Sequence, residues 1–190
     1  MTVSGIDRLH SQLSRFEDMF PGYRMEIVEG SIMVNPVTPH HAETIRRVWN
    51  TLREQLAEEW DLTSDVAFPF DDENEYCPDL AVIPALEFEK NEAAYSPDLV
   101  EVVVEVVSQG SVRRDYELKP RRYASRGIAN YLILDPLKGH CVTMWNPGPD
   151  GYQGRDTIPY GPDLTVDSTL GKLTIPTGRL PVDPKARPTP

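Results

Sequence analysis

Residues 99–107 read LVEVVVEVV, a run in which six of nine positions are valine and only two are charged. Such density of β-branched side chains favours a strand. Because both alternating faces are apolar, the strand needs cover on both sides and belongs in the middle of a sheet. Within it Val102, Val104 and Val106 take one face, and Glu101, Val103, Glu105 and Val107 take the other. Glu105 therefore stands among aliphatic neighbours. A carboxylate buried there is costly unless it is paired, hydrogen-bonded or bound to metal.

The rest of the chain supplies partners for that strand. Ile6, Leu9, Leu13 and Phe16 are spaced for a short amphipathic helix over residues 6–19, which Pro21 and Gly22 end. Residues 24–28 and 31–34 alternate around Glu29-Gly30, a hairpin pattern. Thr38 before Pro39 is an N-cap signal for a long helix reaching residue 60, with Ile45, Val48, Trp49, Leu52 and Leu56 on one stripe. Residues 62–70 read as a strand, 71–75 as an acidic, solvated loop, and 79–83 as a second strand. After the valine run a helix is expected over 112–126, closed by Gly127. Strands follow at 131–134 and 141–145 around the Asp135-Pro136 turn, and beyond Trp145 loops with a few short strands. This order implies an α/β fold with a mixed central sheet and helices on both faces.

The chain has 190 residues and fits one domain over 1–180, with PVDPKARPTP (181–190) as a flexible tail. Its net charge of −11 argues against a protein that coats nucleic acid, but not against an enzyme that gathers carboxylates around metal ions. Cys77 and Cys141 form no CxxC pair and read as reduced thiols. The N-terminus lacks the apolar run of a signal peptide, and no stretch approaches a membrane span, so a cytoplasmic protein is expected.

Asp79 poses the same problem as Glu105, since it begins an apolar strand in CPDLAVIP. Each acid alone can be a solvated strand end or half of a core salt bridge. Side by side they make a hard-oxygen site suited to Mg²⁺ or Mn²⁺, provided the two strands are neighbours. His41 lies four residues before Ile45 on the apolar side of the long helix. It is either a satisfied core histidine or part of the same site, whereas His40 is expected to be exposed. Glu26, between Met25 and Ile27, either approaches the metal or pairs with an arginine. Glu101 sits at the strand entry, where solvation is expected. Arg113, Arg114, Arg121, Arg122 and Arg126 concentrate positive charge around one helix. They form a solvated surface or a strip contacting nucleic-acid phosphates, for which Arg113, Arg114 and Arg122 are the candidates.

Asp79 in its PD dipeptide and Glu105 in VVVEVVS resemble the acidic pair of the PD-(D/E)xK nuclease superfamily. More closely, the chain resembles the Uma-two family, whose members are described from sequence as restriction endonucleases. The matching stretches are RMEIVEGSIMVNP, TPHHAE, PDLAVIP, LVEVVVEVVSQGS and RRDYELKPRRYASRGIANYLILDP, from about residue 15 to residue 180. The resemblance implies a restriction endonuclease-like fold with an added N-terminal hairpin and C-terminal strands. It also implies a metal-dependent endonuclease acting on DNA, with Asp79 and Glu105 holding Mg²⁺ or Mn²⁺. Val107 stands where the superfamily motif has lysine. The family's D-x-x-x-K segment points instead to Lys119, aligned with Asp115 and Tyr123 at spacings of four. The plainer reading of Lys119 is a surface ion pair with Asp115, and Pro120 leaves its direction open. Ser108-Gln109-Gly110-Ser111 lacks the proline that the family often shows after the serine. Two other readings stand beside the nuclease: an inactive module that keeps the fold for nucleic-acid or protein contact, and a hydrolase of small phosphate esters, which needs a closed pocket. Cutting both strands of a duplex calls for a homodimer.

Overall fold

A computed structural model describes residues 23–184, together with 9, 11–13, 15, 16 and 19. Those isolated early positions are helical, but the expected first helix otherwise lies outside the described residues, as does the tail from 185 onward.

Strands β1 (Tyr23–Val28) and β2 (Ser31–Pro36) form the expected hairpin. Its turn residues Glu29 and Gly30 have φ of 49° and 70°, the paired positive values that match the strands' twist. Helix α1 (Pro39–Arg53) begins at Thr38, whose hydroxyl accepts from the His41 amide. It stops short of the expected residue 60. Gln55 leaves the helix to clamp the backbone of Thr174, donating to its carbonyl and accepting from its amide, both at 2.8 Å. The chain then turns into β3 (Trp60–Thr63).

The strand expected over 62–70 is two strands in different sheets, because Asp65 adopts φ of 58° and turns the chain between them. β4 (Phe68–Asp71) and β5 (Asn74–Tyr76) form a hairpin, so the expected solvated loop at 71–75 ends in a buried strand. Asn74 makes this possible: its amide donates to Asp71 Oδ1 at 2.7 Å and its oxygen accepts from the Glu29 amide at 3.0 Å. β6 (Leu80–Pro84) and the short α2 (Ala85–Phe88) lead to β7 (Val102–Val106), the core of the valine run. A π-helical turn (Arg114–Leu118) passes into α3 (Lys119–Ser125), which Gly127 closes with φ of 74°. Strands β8 (Asn130–Asp135), β9 (His140–Gly148), β10 (Gly151–Pro159), β11 (Asp163–Ser168) and β12 (Gly171–Pro176) complete the fold. The region after Trp145 is thus more regular than expected. β10 is a nine-residue edge strand with mostly exposed side chains, so it lacks the apolar alternation that marks a strand.

The central sheet has order β10-β9-β8-β7-β6-β3 and is mixed, with β7 and β8 parallel and the other pairs antiparallel. A second sheet, β2-β1-β5-β4, covers one face together with α3. There Val103, Tyr131 and Ile133 pack with Tyr123, Phe68 and Tyr76. On the other face Val102, Val104 and Leu132 lie under Val48 and Leu52 of α1 and under the β11–β12 hairpin. The valine run is therefore central and covered on both sides. Among the described residues no helix is long and apolar enough to cross a membrane.

Candidate active site

The register of the two innermost strands decides the site. Leu80 pairs with Val104 across the β6–β7 ladder, which brings Asp79 level with Glu105 at the strand ends. Both acids face the side that holds α3 and the second sheet, and both are buried. Asp79 Oδ2 accepts from the Val106 amide at 2.5 Å and lies 3.3 Å from His41 Nε2. The Arg24 guanidinium lies against Asp79 Oδ1 and also against Asp65. Lys119 donates to Glu105 Oε1 and stands equally close to Glu26 Oε1, at 2.8 Å each, with Asp115 Oδ1 at 3.7 Å. The Tyr123 hydroxyl donates to Glu105 Oε1 at 2.6 Å, and the Cys77 amide to Glu26 Oε1 at 3.1 Å. Apart from Tyr123 and Asp65, these groups line a cavity of about 30 Å³, room for roughly one or two waters.

The π-turn explains how one helical segment delivers so many of them. Pro120 has no N–H to offer the carbonyl four residues back, so regular α-helix geometry is already compromised there. The Lys119 amide instead bonds the Arg114 carbonyl, five residues back. In an α-helix, residues five apart lie about 140° apart around the axis. A turn closed by i→i+5 bonds returns them to one side. Arg114 thus joins Asp115, Lys119 and Tyr123 on the inner face, and all four are buried.

Charge inside the cavity is tightly interlocked. Burial disfavours the Lys119 ammonium, yet Glu105, Glu26 and Asp115 outweigh it and hold its pKa above the usual range. Burial also opposes ionisation of Glu26, but Lys119 and Arg114 prevail and keep it below its usual range. Glu105 goes the other way: burial, helped by the Glu26 charge, overrides Lys119 and raises it. Burial pushes Asp115 up to about 7.

The sequence pattern of the family described as "Uma2: Putative restriction endonuclease" matches residues 11–180. The chain belongs to this family. Among solved structures, one described as a putative nuclease belonging to DUF820 from Anabaena variabilis is similar, with a TM-score of 0.55 and 16% identity, covering 75% of this chain and 79% of that one. At that identity the likeness establishes a shared fold. No curated protein matches the chain.

In this Uma2 chain, Asp79, Glu105, Lys119, Glu26, His41, Asp115 and Tyr123 converge as a group. The surface ion pair expected as the plainer role of Lys119 gives way to a side chain only 2% exposed, bonded first to Glu105 and Glu26. The arginine strip does not hold together. Arg113 is exposed and sits 3.8 Å from Glu117, and Arg122 pairs with Asp71 at 2.7 Å, away from the cavity. Only Arg114 turns inward. Glu101 is engaged by the Thr169 hydroxyl at 2.6 Å rather than simply solvated, and His40 is half-buried rather than exposed. Arg24 is the residue that sequence reasoning passes over. It shares a strand face with Glu26 two residues on, the one local sign that it enters the same interior.

Among the described residues no group of three or more acidic, histidine or cysteine side chains forms a ready ligand shell. The donor chemistry nevertheless fits Mg²⁺ or Mn²⁺, which commonly take one or two carboxylates and leave other positions to water and substrate phosphate. Both hydrogen bonds to Glu105 fall on Oε1, which keeps its Oε2 outside the hydrogen-bond network, whereas Asp79 Oδ1 faces the Arg24 guanidinium, which a cation would have to displace.

His41 provides a pH test of this packing. Burial, then the Arg24 charge, then Lys119 lower its pKa from 6.5 to about 4, so the folded state accepts the proton less readily than the unfolded chain. Its contribution to stability is present above about pH 6.5 and is lost as pH falls towards 4, by roughly 1–3 kcal/mol. Asp115, raised from 3.8, has the opposite trend across much of that window and is common to both proteins when wild type is compared with His41→Asn. Urea midpoints measured from pH 4 to 7 should fall less steeply towards acid in His41→Asn. Parallel curves would show that His41 is not held neutral by its surroundings.

Proposed function

We propose that this chain is an endonuclease that hydrolyses phosphodiester bonds in DNA, with Asp79 and Glu105 holding Mg²⁺ or Mn²⁺ and Lys119 completing the site. The observation that carries this reading is the convergence of the acid pair and the buried lysine on one small cavity. At about 30 Å³ the cavity does not by itself enclose a substrate. It shares Pro36 and Ser108 with an adjoining groove of about 220 Å³ that can carry the rest of a longer substrate. A hard divalent cation at the acid pair would polarise a phosphate oxygen and lower the pKa of bound water.

The protein's own groups have separable tasks. The Val106 amide and His41 orient the Asp79 carboxylate. Tyr123 fixes Glu105 by donating to Oε1, leaving Oε2 outside that bond. Lys119 remains an ammonium at neutral pH, so it is not the base that takes a proton from water. It stabilises charge developing on the phosphate and orients the nucleophile. Arg113, Arg122 and Arg126 pair with Glu117, Asp71 and Asp98 away from the cavity, while Arg121 is exposed on the surface of the same helix. Double-strand cutting would use two copies related by symmetry.

A plasmid-nicking assay with Mg²⁺ or Mn²⁺ tests the proposal. Nicking should depend on the metal and be lost in Asp79→Ala and in Glu105→Ala. Activity that survives both substitutions would remove this mechanism. Correctly folded wild type with no nicking and no calorimetric metal binding would favour the inactive module, in which Arg24 and Lys119 simply neutralise the acids.

A further inference from the structure

Arg114 is only 5% exposed, yet its Nε and Nη1 make no hydrogen bond. Unmet donors on a buried cation are expensive, and the nearest acid does not meet them. Glu26 Oε2 is 3.6 Å from Nε, beyond hydrogen-bond reach, and Oε1 of the same residue is taken by Lys119 and the Cys77 amide. The neighbouring Ser111 hydroxyl is turned inward on its own loop, accepting from the Ser108 amide at 2.9 Å and facing the Ser108 carbonyl at 3.3 Å. Arg114 nevertheless lines the cavity with the acid pair and Lys119. The π-turn that delivers it there breaks helical regularity and leaves its Nε and Nη1 without a hydrogen-bond acceptor.

We propose that Arg114 is the seat of one substrate phosphate group, received through its unfilled N–H groups. This rests on the nuclease reading for the identity of the substrate, but the anion seat itself stands on the arginine's unmet donors. The missing partner must accept hydrogen bonds and suit a cation, and because Nε and Nη1 lie on different edges of the guanidinium, separate acceptor oxygens have to meet them, as the several oxygens of a phosphate group can. The cavity admits phosphate oxygens, while the groove beyond Pro36 and Ser108 accommodates the attached nucleotides along His40 and Gln109. A DNA phosphodiester is the source, rather than free phosphate, because a groove sharing Pro36 and Ser108 with the cavity adjoins it.

The test is calorimetry in EDTA, so that no divalent cation contributes. Inorganic phosphate, a short DNA oligonucleotide and the same oligonucleotide with uncharged methylphosphonate linkages are titrated into wild type, Arg114→Gln, Arg114→Lys and Glu105→Gln. Wild type should bind the oligonucleotide more tightly than inorganic phosphate and lose affinity for the methylphosphonate version. Arg114→Gln should weaken oligonucleotide binding by roughly tenfold to a hundredfold. Arg114→Lys keeps the charge beside Glu26 and so guards against misfolding; it should recover only part of the loss, because one ammonium cannot present N–H groups at both the Nε and the Nη1 positions. Glu105→Gln removes a negative charge from the same cavity and should bind the oligonucleotide at least as tightly as wild type, so the seat survives even where cutting is absent. Wild-type affinity in Arg114→Gln or full recovery in Arg114→Lys would overturn the proposal. So would indifference to the methylphosphonate change.

Discussion

Replacing Lys119 with methionine is expected to lower the unfolding free energy by about 3–5 kcal/mol and to abolish cutting. Methionine fills the volume of the lysine stem, so the loss is one of charge rather than packing. Lys119 Nζ stands 2.8 Å from both Glu105 and Glu26 and 3.7 Å from Asp115, all buried, and 5.5 Å over the Tyr76 ring. Without it three carboxyl groups face one another in low dielectric. At least one must take up a proton, and the others lose the partner that offset their desolvation. Denaturant unfolding at pH 7 and pH 5 measures the cost, which should shrink at the lower pH as the carboxyl groups become protonated. The double variant Lys119→Met/Glu105→Gln should regain part of the stability and none of the activity. A stable Lys119→Met protein with normal nicking would show that the lysine serves neither the fold nor the chemistry.

That prediction concerns a residue whose direction the sequence left open, and the reason is physical. Helical periodicity assumes 3.6 residues per turn, and under it Lys119, Asp115 and Tyr123 align while Arg114 does not. Pro120 signalled that the rule would fail locally without saying how. The π-turn resolves it in favour of all four residues. Asp79 and Glu105 were easier to place, because each interrupts an apolar strand and must be compensated wherever the strand lies. Their adjacency depended on β6 and β7 pairing in one register, Leu80 with Val104, which local pattern permits but does not impose. Arg24 was hidden for the same reason. Its contact with Asp79 joins a hairpin of the second sheet to the central one, and no short-range spacing reports such a contact. The break at Asp65 was equally silent, since residues 62–70 carry strand-forming side chains on both sides of a single backbone reversal.

Glu105→Gln separates structural from chemical demand more sharply than any other single change. The amide keeps the shape of the side chain and can accept from Lys119 and Tyr123 through its oxygen, as Glu105 Oε1 does now. Its NH₂ falls where Oε2 has no hydrogen bond to lose. Burial and the Glu26 charge already disfavour the ionised form of Glu105, so removing that charge relieves a cost instead of creating one. Lys119 retains Glu26 and Asp115 as counter-charges. Stability is therefore expected to stay within about 1 kcal/mol of wild type or to rise. Nicking should fall by at least about 100-fold, a loss of roughly 3 kcal/mol of transition-state stabilisation, because an amide is a poor ligand for a hard cation. Thermal unfolding and nicking rates on the same preparation measure both quantities. If Glu105→Gln instead loses stability and leaves nicking intact, the acid is a structural partner of Lys119 and the metal belongs elsewhere.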